Sequence, residues 1–168
     1  MHLNAAIGSL PLLHVDDNAN ERFLVKRAIF VTHTPFAFYE AAGLESAIPY
    51  FQFHLHHPEK FPRPAMVLLD YEMGDNTGAD FLYWLRGMRR ITSIPVVMFS
   101  GSVGRRQVAS CYATGANYFL SKPKNSERLK EIVRALHLSL VSQRPGPILH
   151  LEEYQADLRE RTTRATPV

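Results

Sequence analysis

Five side chains in this sequence could do chemistry together: Asp16, Asp17, Asp70, Ser100 and Lys122. Each follows a short apolar run. Leu12 to Val15, interrupted only by His14, leads into Asp16 and Asp17; Ala65 to Leu69 leads into Asp70; Ile94 to Phe99 leads into Ser100; Tyr118 to Leu120 leads into Ser121, Lys122 and Pro123. Apolar runs without polar alternation read as strands buried on both faces, which belong to parallel sheets, and ligands gather where such strands end. Carboxylates brought together at two strand ends repel one another unless a cation or a proton compensates. A hard divalent ion suits oxygen ligands of this kind, and Mg²⁺ is the expected one. Asp70 alone would also serve as a cap for the loop or helix after it. The other four residues turn the reading towards a site.

The segments between these runs must carry the chain back across the sheet, and they have helical patterns. Asn20 to Val31 places Leu24, Ala28 and Val31 at helical spacing, opened by Asn18 or Asn20. Phe36 to Tyr39 reads as a second strand, and Gly43 to about Leu55 as a second helix that Pro49 interrupts. Pro58 to Pro64 is a proline-rich connection. Gly74 to Gly78 is a polar loop, and Ala79 to Met88 a helix with Phe81, Leu85 and Met88 on one face. Trp84 reads as a half-buried residue of that helix. Arg105 to Thr114 is a helix stopped by Gly115, and Asn125 to Val141 carries a stripe of Leu129, Ile132, Val133, Leu136 and Leu140. Five strands alternating with five helices predict an α/β fold: a doubly wound, five-stranded parallel sheet in the flavodoxin-like order 2-1-3-4-5. In that order the first and third strands are neighbours, so Asp16, Asp17 and Asp70 converge, with Ser100 and Lys122 on the adjoining strand ends.

On these residues the chain resembles the receiver domain of bacterial two-component response regulators, over roughly Leu10 to Leu140. Asp70, followed by Met73 and Gly78, resembles the family's phosphoacceptor loop; Asp16 and Asp17 resemble its acidic pair, Ser100 its switch hydroxyl, and Lys122 with Pro123 its lysine-proline signature. The resemblance implies that Asp17, Asp70 and the backbone carbonyl of Glu72 hold Mg²⁺, with Asp16 acting through a metal-bound water. It implies that Asp70 accepts a phosphoryl group from a histidine kinase or phosphotransfer protein, that Lys122 supplies a second cation, and that Ser100 donates a hydrogen bond to the phosphoryl group. The outcome would be a switched surface for a downstream protein, not turnover of a substrate, so the chain is expected to be a signalling phosphoacceptor rather than an enzyme. Three departures stand out: Gly74 where many receivers have proline, implying a more mobile loop; Phe119 at the switch aromatic position, without a hydroxyl; and Glu72, whose carboxylate can point towards the phosphoryl site.

Bulk properties limit the alternatives. The chain has 168 residues, 46% of them hydrophobic, enough for one domain with a real core. A net charge of +3 with scattered basic residues does not argue for nucleic acid, and neither a recognition helix nor zinc-finger spacing is visible. The single Cys111 reads as a small buried residue and excludes an internal disulfide. No signal-peptide pattern or membrane-length apolar run occurs, so no membrane partner and a cytoplasmic location are expected. His54, His56 and His57 have no cysteine or carboxylate cluster beside them and read as a solvated helix end rather than a zinc site. A phosphohydrolase of the haloacid dehalogenase type also uses an aspartate at a strand end, but wants a second aspartate where this chain has Glu72. A receiver fold without phosphorylation, serving only as a binding module, is the third reading.

The chain divides into an N-terminal lead (1–9), a receiver domain (10–141) and a C-terminal extension (142–168), with no DNA-binding output domain expected. In the extension, Ser142 to Pro147 breaks the preceding helix, after which Ile148, Leu151, Tyr154 and Leu158 recur at helical spacing. A helix over Ile148 to about Arg161 is expected to dock on its own receiver or to contribute to a homodimer, because so short a helix is marginal alone in water.

Overall fold

The computed structural model describes residues 8–101 and 104–142. The expected extension helix and its docking, and nearly all of the N-terminal lead, lie outside these residues. In chain order the elements are β1 (Leu10–Val15), α1 (Ala19–Thr32), β2 (Phe36–Ala41), α2 (Leu44–His54), β3 (Met66–Leu69), β4 (Glu72–Met73), β5 (Asn76–Thr77), α3 (Gly78–Gly87), β6 (Val96–Ser100), α4 (Arg105–Thr114), β7 (Tyr118–Ser121) and α5 (Ser126–Val141). Five strands form one parallel sheet in the order β2-β1-β3-β6-β7, while β4 and β5 pair only with each other. With that small hairpin set aside, the order is the expected 2-1-3-4-5.

The apolar runs lack alternation because both faces of each strand are buried. Leu13, Val15, Val67, Leu69, Val96, Met98 and Phe119 point into one core with Phe51, Phe81 and Leu85 of α2 and α3. Leu12, Met66, Leu68, Val97, Phe99, Tyr118 and Leu120 point into the other, with Val25 and Ile29 of α1 and Leu129, Ile132, Val133 and Leu136 of α5. Alternate residues of one strand thus serve opposite cores, and a polar residue on either side would need a buried partner.

Local chemistry sets the helix ends. Asn18, not Asn20, caps α1: its side-chain oxygen accepts the Asn20 backbone N–H at 2.9 Å. Asn125 caps α5 in the same way, accepting the Arg128 N–H at 2.8 Å. α2 runs through Pro49, where the sequence suggested an interruption. α3 begins at Gly78 because Thr77 and Asp80 form a reciprocal capping box. α4 ends at Gly115, which takes the left-handed conformation at φ 107°. Beneath the sheet, Arg86 of α3 donates to the carbonyls of Thr92, Ile94 and Gly115, tying α3 to the loops around β6 and α4.

The segment after Asp70 departs from the expected open loop. Glu72 and Met73 pair antiparallel with Asn76 and Thr77, leaving Gly74 and Asp75 as the turn. Gly74 has φ 59°, while Asp75 does not have a positive φ. A two-residue hairpin with positive φ only at its first central residue is a turn that favours glycine there, and proline, locked near φ −65°, cannot adopt it. Gly74 therefore belongs to a defined turn. β2 also extends two residues beyond the expected Tyr39, because Glu40 and Ala41 keep pairing with His14 and Val15.

Candidate functional site

All five residues singled out by type and spacing meet at the carboxyl edge of the sheet. The backbone ladder continues past the strands and fixes them there: the Asp16 N–H donates to the Ala41 carbonyl at 3.1 Å, Asp70 to Val15 at 2.9 Å, and Lys122 to Ser100 at 2.9 Å. The side chains that follow are placed by this ladder, not by a flexible loop. Carboxylate oxygens of Asp16, Asp17 and Asp70 all lie within 4.8 Å of one another. Asp16 is fully buried, Asp70 is 5% and Ser100 2% exposed, and Asp17 faces solvent.

Lys122 closes the group from the opposite side. Its Nζ donates to Asp16 Oδ2 and to Asp70 Oδ2, both at 2.8 Å. The remaining carboxylate oxygens have backbone donors: Asp70 Oδ1 accepts the Tyr71 N–H at 2.7 Å, and Asp16 Oδ1 accepts the Asn18 N–H at 2.9 Å. Burial alone would raise the Asp16 pKa, but the neighbouring His14 ring and Lys122 ammonium outweigh it and hold that pKa below its ordinary value. Burial likewise works to lower the Lys122 pKa, and the two carboxylates overcome it and raise that pKa.

An open pocket of about 380 Å³ sits over the group, lined by Asp17, Asn18, Glu21, Asp70, Glu72, Gly74, Ser100, Gly101 and Lys122. Its carboxylates outnumber its single ammonium, so an incoming anion needs another cation. Three convergent carboxylates with exposed Asp17 at the mouth are hard oxygen donors for a divalent ion, and the residues fit one. The backbone of Glu72 stands in β4 at the pocket wall, and its exposed side chain lines the same space. Gly78 packs so tightly beneath Asp70 that a Cβ there would collide with the Asp70 backbone carbonyl. Phe119 lies inward, packed in the core beside α3 and α4, and its backbone N–H donates to the Tyr112 hydroxyl at 3.1 Å.

The family model for the response regulator receiver domain matches residues 12–134. The chain belongs to this family. Response regulator Rre1 of Synechocystis is 36% identical over 129 residues, a match covering 76% of this chain and 51% of that protein. The chain therefore spans about half the length of that relative. Among solved structures, the phosphorylated cyanobacterial phytochrome response regulator RcpA aligns with a TM-score of 0.71 at 21% identity, covering 83% of this chain and all of that one. The Mn²⁺-bound form of response regulator Rcp1 aligns at 0.68 and 22%, covering 82% and 99%. These likenesses bear out the fold. Receiver domains bind a divalent metal at an acidic pocket of this kind and work with histidine kinases or phosphotransfer proteins. Membership of this family leaves the dehalogenase reading without support.

The histidine segment behaves as the plainer reading expected. His54 Nδ1 lies 2.7 Å from the Phe61 carbonyl, and His57 is exposed near Glu59 at 3.7 Å. Among the described residues these histidines form no metal-capable group. No helix among the described residues is long and apolar enough to cross a membrane. The sequence did not single out Glu21, Tyr112 or His14 for the site. Only His14 carried a visible signal, as the one polar residue in an apolar strand.

Proposed function

We propose that this chain is a phosphorylatable receiver in which Asp70 takes a phosphoryl group from a phosphohistidine of a kinase or phosphotransfer protein. The observation that carries the reading is the Lys122 ammonium held 2.8 Å from both Asp16 and Asp70. This arrangement leaves a fixed cation beside Asp70 and beside the oxygens of an arriving phosphoryl group. In the transfer the N–P bond breaks as the P–O bond to Asp70 forms. The donor nitrogen keeps the electron pair, and the imidazole leaves neutral with its other nitrogen protonated.

Asp17, Asp70 and the Glu72 carbonyl would hold Mg²⁺, with Asp16 contacting it through water. When bound, the ion supplies charge neutralisation for the transferring group. Asp70, its backbone carbonyl packed against Gly78 and its Oδ1 accepting the Tyr71 N–H, presents its carboxylate towards the pocket. Ser100, at the end of β6 and lining that pocket, is the hydroxyl available to the phosphoryl group. Its movement, with that of Phe119 on the next strand, would convert the modification into a changed surface for a downstream protein.

Incubation with acetyl phosphate and Mg²⁺, followed by intact mass measurement, tests the reading. One phosphoryl increment is expected in the wild type, lost on chelation of the metal and absent in Asp70→Asn. An adduct that persists in Asp70→Asn would refute it.

A further inference from the structure

His14 is spent in a costly place. It lies in β1 with no solvent exposure, on the face where Leu12 and His14's own register partner Leu68 fill the core with carbon. Neither ring nitrogen has a hydrogen-bond partner. A buried imidazole left this way costs stability that a leucine would not, and such an orphan calls for an explanation. The ring is held by Phe38, with centroids 6.1 Å apart, and by Phe99, edge-on at 6.4 Å. These contacts aim Nε2 at Asp16 Oδ2, which it approaches to 3.6 Å, just outside hydrogen-bond reach.

The same Asp16 oxygen accepts Lys122 at 2.8 Å, and that ammonium is shared with Asp70. A phosphoryl group on Asp70 would place new anionic oxygens on the pocket side and draw the ammonium outward. Asp16, which is fully buried, would then lose a charge-assisted donor at Oδ2, an expensive loss inside a protein. A closure of roughly half an ångström brings the His14 Nε2–H into hydrogen-bond range of that oxygen.

We infer that His14 is a positioning residue that takes over Asp16 from Lys122 when Asp70 is phosphorylated, releasing the lysine to the phosphoryl group while Asp16 keeps its place. The inference rests on the phosphoacceptor reading above. It assigns the orphaned ring a partner that exists only in the loaded state, and it links the site to the core beneath β1.

The test uses the full ¹⁵N-labelled chain, with the His14 ring observed by NMR with and without Mg²⁺ and beryllofluoride, a stable mimic of a phosphoryl group on a carboxylate. The Nε2–H tautomer is expected in both states, with its proton moving downfield on loading. In parallel, phosphoryl loading from acetyl phosphate is followed by mass. His14→Leu should load about tenfold more slowly, the scale of one lost hydrogen bond to a charged group, while His14→Gln, which retains a donor, should largely recover the rate. Unchanged ring signals on loading, an Nδ1–H tautomer, or wild-type loading by His14→Leu would each overturn the inference. The ring measurement needs no variant, so a poorly folded mutant cannot hide the answer. A wild-type chain that gains no phosphoryl mass would instead sink the underlying reading together with this one.

Discussion

Asp17 is the exposed member of the acidic group, and Asp16 is the buried one already matched by Lys122. A metal entering from the pocket therefore depends on Asp17 more than on the lysine. Asp17→Asn is expected to weaken Mg²⁺ binding by at least about tenfold, because few carboxylates share the load for an ion that keeps much of its water. Lys122→Ala is expected not to weaken it, since removing a cation leaves the pocket more negative. Calorimetric titration of both variants decides this, and equal affinity in wild type and Asp17→Asn would contradict the assignment. The ion pair also predicts a pH profile. The Asp16 pKa is held below its ordinary 3.8, so its contribution is complete above that pH and is lost as pH falls through the folded value. The Lys122 pKa is raised above its ordinary 10.5, so its contribution is complete below that pH and is lost as pH rises through the folded value. In thermal melts without metal, the gap between wild type and Lys122→Met should be steady at neutral pH and shrink above 10.5. A gap that stays constant into that alkaline range would mean the ion pair contributes nothing.

At the scale of elements, the turn from β3 into α3 decides whether Asp70 is presented at all. Gly78 is the first residue of α3 and lies against the Asp70 backbone carbonyl, with its N–H donating to Tyr71 at 2.8 Å. Gly78→Ala would force these backbones apart and should cost about 2 kcal/mol or more, the scale of overpacking in a tight core. Urea melts would measure the loss, and a change below about 0.5 kcal/mol would show that the turn can relax. This glycine was marked only by the resemblance to the receiver phosphoacceptor loop, whereas the strand ends and the long α5 stripe were legible because apolar runs and helical periodicity report burial directly. The β4–β5 hairpin was not, since two-residue strands carry no periodicity. The reach of β2 to Ala41 was hidden for a related reason: Glu40 looks polar alone, and only pairing with β1 keeps the strand going. His14 was noted only as an interruption, because its meaning depends on an Asp16 oxygen brought close by the fold.

At the scale of the whole molecule, the described residues form a sheet between two cores, one under α2, α3 and α4 and the other under α1 and α5. α5 ends at Val141, with Leu138 and Val141 about half exposed. The following segment is proposed to form a helix over Ile148 to about Arg161 that docks on the receiver or on a second copy. Removal of everything after Val141 is then expected to lower the helical signal per molecule by circular dichroism or to change the mass found by sedimentation. If neither moves, the docked helix is wrong, and the receiver reading stands untouched.

The central claim is that the phosphoryl group goes to Asp70 and to no other carboxylate of the crowded site. Borohydride reduction of the acetyl phosphate-loaded protein converts a phosphorylated aspartate to homoserine, and peptide sequencing by mass spectrometry then locates it. Homoserine at position 70 alone is the predicted result; homoserine at Asp16 or Asp17, or reduced Glu72, would contradict the assignment.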